Sequence, residues 1–135
     1  MSDWNRGIID DFRATGGKVG GMWKGRPLLL LHHTGAKTGI ERVSPLMYKQ
    51  LDGAYAVFAS KGGADSNPAW FHNLVANPET SIEIGSDKID VTARLAQGEE
   101  RQRIWEPWKR EYPQFASYEE KTARNFIPVV VLDPV

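Results

Sequence analysis

Asp52-Gly53 separates two strand-like runs, Ile40 to Gln50 and Ala54 to Ala59, and so specifies a hairpin. The Asp-Gly pair favours a tight primed turn. With the turn centred there, opposed residues carry numbers that add to about 105. Arg42 is then expected near Gly63, and Lys61 near Ser44. Two lysine-bearing glycine turns flank the hairpin, Gly35-Ala36-Lys37-Thr38-Gly39 and Ser60-Lys61-Gly62-Gly63. Strand pairing would gather Lys37, Arg42 and Lys61 at one end of the sheet, where glycine leaves the backbone N–H groups approachable. Clustered cations and exposed amides suit a phosphate or another polyanion. Singly, each cation reads equally well as a solvated surface charge; the trio points to an anion site. No Walker pattern and no G-x-G-x-x-G is present, which argues against mononucleotide and Rossmann sites.

A chain of 135 residues is read as one domain with a sizeable core. Within it, residues 1–26 are expected to form an N-terminal helix and arm, and 27–135 the main body. Seventeen basic residues balance seventeen acidic ones, so nucleic acid is not an expected partner. The absence of cysteine excludes disulfides, thiolate nucleophiles and zinc–sulfur sites. No signal peptide is read at the start, and no apolar run approaches bilayer length. A cytoplasmic setting is expected. Trp4, Ile8, Ile9 and Phe12 fall near helical spacing with Arg6, Arg13, Lys18, Lys24 and Arg26 around them. That pattern is compatible with peripheral contact at the inner face of the cell membrane; a helix packed on its own core is the preferred reading.

The layout alternates strands with inserted helices. A helix is expected over 3–14, and a strand buried on both faces over Leu28 to His33. After the hairpin, Asn67 should cap a helix with Pro68 at its first position, ending near Val75. A second hairpin follows, Ile82 and Ile84 on one arm and Ile89, Val91, Ala93 and Leu95 on the other, turned at Gly85-Ser86-Asp87. A helix from Gln97 to Tyr112 is expected to kink at Pro107. A short helix over 116–124 and a buried strand from Ile127 to Leu132 close the chain. About six mostly antiparallel strands with peripheral helices predict an α+β protein built on a partly closed barrel.

Reactive side chains are few. His32 and His33 are adjacent on a strand, face opposite ways and cannot share a metal; His72 has no carboxylate at ligand spacing. No serine stands in a nucleophile-elbow context. A protein holding an anion cradle but so little chemistry of its own is expected to borrow a cofactor. A flat ring would need an aromatic surface, and two are available. Trp70 and Asn73 share a helix face just after the Lys61 turn. Tyr112, Phe115 and Tyr118 recur every three residues, and pocket wall and core stripe remain open for them.

These segments together resemble the deazaflavin (F420)-dependent nitroreductase family of actinobacteria. The resemblance rests on Thr34-Gly35-x-Lys37-Thr38-Gly39, Arg42-Val43-x-Pro45-Leu46 and Ala59-Ser60-Lys61-Gly62-Gly63-Ala64. The strongest block is Asn67-Pro68-x-Trp70-x-x-Asn73-Leu74-x-Ala76-Asn77-Pro78; Tyr112-Pro113 and Ile127-Pro128-Val129-Val130 complete the set. It implies a flavin-binding split-barrel-like fold, coenzyme F420, no metal, and hydride transfer to a quinone-like, nitroaromatic or enone acceptor. The tail of the cofactor would meet Ala36, Lys37, Thr38 and Arg42, assisted by Lys61. Its ring would lie along Val43, Ser44, Pro45, Leu46 and Met47, along Phe58, Ala59, Ser60 and Lys61, and along Ala69, Trp70, Phe71, His72 and Asn73, with Phe115 closing over it. Tyr118, Ser60 and Tyr112 match the substrate pocket, where a hydroxyl binds or protonates the acceptor. Ala36 stands in place of a family arginine, and Phe115 and Met47 in place of tyrosines. A non-catalytic F420-holding protein and a split barrel using flavin mononucleotide are the competing readings. The oligomeric state stays open.

Overall fold

Leu28–Thr34 (β1) opens with four leucines and is buried through His33 because both its faces are covered. Leu29 and Leu31 point into one core cluster, while Leu28 and Leu30 pack beneath the N-terminal helix α1 (Asp3–Thr15) through Ile8, Ile9 and Phe12. The computed structural model describes residues 3–135, without the side chains of Asp3, Trp4 and Met22. The reading of Trp4 as part of an apolar helix face therefore lies outside the described residues. The rest of that face is spent on the barrel.

Five further strands complete the sheet: β2 (Glu41–Gln50), β3 (Tyr55–Phe58), β4 (Glu79–Ile84), β5 (Asp87–Leu95) and β6 (Val129–Pro134). They close into a barrel in the order β1-β2-β3-β6-β5-β4, with every neighbouring pair antiparallel. The strand β2 is long enough to pair with β1 over its first part and with β3 over its last. The seam between β1 and β4 is the thin joint, with register partners only at Leu30–Glu83 and Leu31–Ile82.

The first hairpin holds the expected register, with Tyr48 opposite Val57, Lys49 opposite Ala56 and Gln50 opposite Tyr55. Its turn is not of the primed type, since Gly53 has a positive φ (+75°) and Asp52 does not. The Gln50 side-chain amide donates to the Leu51 and Ala54 carbonyls instead and closes the turn. More consequentially, β3 stops at Phe58, one residue after its ladder with β2 ends at Val57, while its other edge runs along β6. The ladder that was to carry Lys61 opposite Ser44 and Gly63 opposite Arg42 ends before reaching them.

Helix α2 (Ala69–Ala76) begins one residue later than expected, with Pro68 as its cap. The side chain of Asn67 makes no cap bond; its Oδ1 accepts from Arg124 Nη1 at 2.6 Å. Helix α3 (Gly98–Glu111) runs unbroken through Pro107. An interior proline costs about 3 kcal/mol, and burial of Ile104, Trp105 and Trp108 on both sides of it opposes a break. Helix α4 occupies Gln114–Lys121, two to three residues ahead of the expected span, and β6 starts at Val129 rather than Ile127. Trp105 donates through Nε1 to Glu119, tying α3 to α4.

Candidate active site

Two concavities meet at the start of α2. The first is an open cleft of about 660 Å³ lined by Gly35, Ala36, Lys37, Thr38, Arg42, Ala69, His72 and Asn73. The second is a groove of about 360 Å³, walled by Trp23, Phe58, Trp70, Phe115 and Tyr118, with Arg26, Pro45, Leu46, Met47, Ser60, Lys61, Gly62, Pro68 and Gln114 completing it. Pro68 and Trp70 face the groove while Ala69, His72 and Asn73 face the cleft, so one helix separates and joins the two.

The cleft is held by a buried relay. Asn73 Oδ1 accepts the Ala36 N–H at 3.0 Å, which turns its amide nitrogen to His33 Nδ1 at 2.9 Å. His33 Nδ1 is thus an acceptor, and Nε2 donates to Ser44 Oγ at 2.8 Å. The imidazole is neutral: burial, then Arg42 and His32, push its pKa down from 6.5 to about 4. The relay locks the Gly35–Gly39 turn against α2 and leaves Lys37 and Arg42 free of acidic partners among the described residues. Thr38 Oγ1 accepts the Ile40 N–H and caps the turn from within.

In the groove, Phe58 stacks on Trp108 at 4.5 Å between centroids and meets Phe115 edge-on at 6.0 Å; Tyr118 meets Phe115 at 5.3 Å. Neither the Ser60 nor the Tyr118 hydroxyl is committed to a protein partner among the described residues. Lys61 adopts the left-handed conformation (φ +48°), alone among the described non-glycine residues. Its Nζ lies 3.4 Å from Ser66 Oγ. Arg124 holds this turn from behind, donating to the Ala59 and Ser60 carbonyls at 2.8 and 2.7 Å.

A family model for F420H(2)-dependent quinone reductases matches residues 4–134. The chain belongs to that family. It is 40% identical over 125 residues to an F420H(2)-dependent quinone reductase of Mycobacterium tuberculosis (strain ATCC 25618 / H37Rv), covering 90% of this chain and 83% of that one. Among solved structures, the F420-H2 dependent reductase FDR-A matches with TM-score 0.71 and 42% identity over 80% of this chain and 95% of that one. A second, described as a domain-swapped dimer, gives TM-score 0.74 and 39% identity over 97% and 98%. The protein is thus a split-barrel oxidoreductase that uses coenzyme F420.

The donor set of the two spaces suits an anionic tail and a flat ring. Of the cofactor positions expected from the sequence, Ala36, Lys37, Thr38, Arg42, Ala69, His72 and Asn73 line the cleft. Pro45, Leu46, Met47, Phe58, Ser60, Lys61, Trp70 and Phe115 line the groove, as does Tyr118, expected in the substrate pocket. Lys61 therefore does not join Lys37 and Arg42 in one cradle, because β3 leaves β2 before the ladder reaches it. Five expected residues face neither space. Val43 packs beneath α1 on the cluster that includes Leu28 and Leu30. Ser44 is engaged by His33, and Ala59 is fully buried in the barrel. Phe71 turns to the far side of α2, toward Leu74 and Pro78. Tyr112 ends α3 and packs on Trp108 at 4.5 Å, at the core margin rather than on the groove wall.

His33 and Arg124 escaped the reading of the sequence, as did Trp23, Arg26 and Gln114 on the groove. For His33 a signal was available: a histidine on a strand buried on both faces needs polar partners there. For the others nothing local marks them, since their neighbours come from distant segments.

Proposed function

We propose that this protein reduces a quinone-type acceptor with hydride taken from reduced F420. The observation that carries the reading is the meeting, across α2, of a cleft with two unpaired cations and an aromatic groove bearing two uncommitted hydroxyls. Lys37 and Arg42 would hold the phosphate and carboxylates of the tail, with the Gly35–Thr38 backbone approachable beside them. Phe58, Trp70 and Phe115 would sandwich the ring and exclude water from it. Hydride is the chemistry the reduced cofactor supplies when bound there. Ser60 and Tyr118 are placed to hydrogen-bond the acceptor oxygen as it gains charge, and Tyr118 to pass it a proton. Phe115, without a hydroxyl, leaves that work to these two.

The deciding assay is oxidation of reduced F420 followed by absorbance, with menadione and a nitroimidazole as separate acceptors. Turnover with menadione is expected. Tight F420 binding with no turnover on any acceptor would support the storage reading, and tighter binding of flavin mononucleotide than of F420 the flavin reading; family membership favours neither. The proposal places the enzyme in the cytoplasm. No helix among the described residues is long and apolar enough to cross a membrane, and contact at the inner face would have to use parts of α1 other than Ile8, Ile9 and Phe12. Cell fractionation distinguishes the two placements.

A further inference from the structure

The link from α1 to β1 ends in a turn of defined geometry. Arg26 N–H donates to the Trp23 carbonyl at 3.0 Å. Between them Lys24 has φ −57° and ψ 125°, and Gly25 has φ +77°. These are the angles of a type II turn, which needs glycine at its third position. Such a turn brings its first and last residues side by side, and both Trp23 and Arg26 line the groove.

The guanidinium of Arg26 has no carboxylate partner among the described residues, unlike three other surface arginines. Arg13 pairs with Glu83, Arg94 with Glu100 and Asp133, and Arg103 with Glu99. The one hydrogen-bond partner of its guanidinium among the described residues is Met47 Sδ at 3.9 Å, a weak acceptor. Among the described residues no acidic one lines the groove, and its other cation, Lys61, has Ser66 Oγ as its one hydrogen-bond partner. The indole Nε1 of Trp23 is buried without a protein acceptor. An aromatic plane and an unpaired planar cation, fixed next to each other by a turn, suit a ring that bears a carboxylate. The ring stacks, and the guanidinium takes the carboxylate through two parallel bonds.

We propose that Trp23 and Arg26 recognise the acceptor, selecting a quinone-type ring with an ionised carboxylate over its neutral counterpart. The inference rests on the quinone-reductase reading for the ring and adds the charged substituent.

The test uses unreactive probes, 2-naphthoate and 2-naphthamide, titrated calorimetrically into the full chain with and without saturating oxidised F420. Naphthoate is expected to bind at least fivefold more tightly in low salt, and the preference to shrink as salt rises. Arg26→Gln should abolish the preference while leaving naphthamide affinity within twofold; Arg26→Lys should restore part of it. Equal affinities, or a preference that survives Arg26→Gln, would overturn the assignment. So would a preference seen in the free protein and lost on loading with F420, because the arginine would then serve the cofactor. Failure of F420 to bind would sink the quinone-reductase reading instead, with the role of Arg26 still decided by the probes on the free chain.

Discussion

At the scale of single residues, His33 matters most to the cofactor cleft without facing it as a ligand. It is 4% exposed, and its neutral form alone satisfies both Asn73 and Ser44. Its pKa is about 4 folded against 6.5 ordinarily. The unfolded chain therefore binds the extra proton between those values, and stability falls as pH drops from about 6.5 to about 4. The linked loss is at most on the order of 3 kcal/mol. Urea unfolding at a series of pH values should show this slope in the native protein, and His33→Gln should flatten it. Tyr118→Phe tests the second residue-scale claim. Loss of a general acid typically costs a hundredfold or more in rate, so kcat for menadione should fall by about that factor while F420 affinity measured by fluorescence stays unchanged.

Among the elements, α4 sets where Tyr118 sits, and a glycine sets where α4 sits. Gly63 has φ +83°, and a β-carbon there would lie 3.0 Å from Tyr118 Cα and 3.1 Å from its carbonyl oxygen. Backbone cannot yield as a side-chain tip can, so Gly63→Ala must push the helix. The contact is reinforced by Thr122 Oγ1 donating to the Ala64 carbonyl at 2.7 Å and Ala123 N–H to Asp65 at 2.9 Å. Gly63→Ala should cost about 1–3 kcal/mol and reduce kcat for quinone reduction about tenfold, a displacement effect of the kind small misplacements produce. Thermal unfolding and steady-state kinetics would report the two separately; kcat unchanged in a folded variant would remove the turn from the positioning of Tyr118.

For the whole molecule the seam with the shortest ladder is β1–β4, and it is stitched from outside by charge. Arg13 on α1 grips Glu83 on β4 through two bonds at 3.1 and 2.7 Å. Glu83 also lies 2.6 Å from His32 Nε2, and Glu41 on β2 lies 2.7 Å from His32 Nδ1. Arg13 above all, with His32 assisting against burial, holds the Glu83 carboxyl down at about 2 from 4.5. Stability from this carboxylate is thus complete above pH 4.5 and is lost as pH falls toward 2, for the most part below the His33 window. Glu83→Gln should cost about 2 kcal/mol and speed amide exchange in β1 and β4 more than in β3 and β6. Uniform exchange across all strands would show that the seam is not held this way.

Much of the barrel was legible in the chain because its signals are local. Alternating apolar residues, the Asp52-Gly53 turn and the double-faced run Leu28 to Leu31 fix strand identity and register over neighbouring residues. The block from Asn67 to Pro78 marked the helix that separates cleft from groove. What the chain could not announce was where pairing stops. β3 holds β2 on one edge and β6, some seventy residues later, on the other; its ladder with β2 ends at Val57 and the chain turns off through Lys61–Gly63, and that ending divides Lys61 from Lys37 and Arg42. The strand pattern dictated a barrel; where each ladder ends, set by contacts between distant segments, decided which charges share a surface.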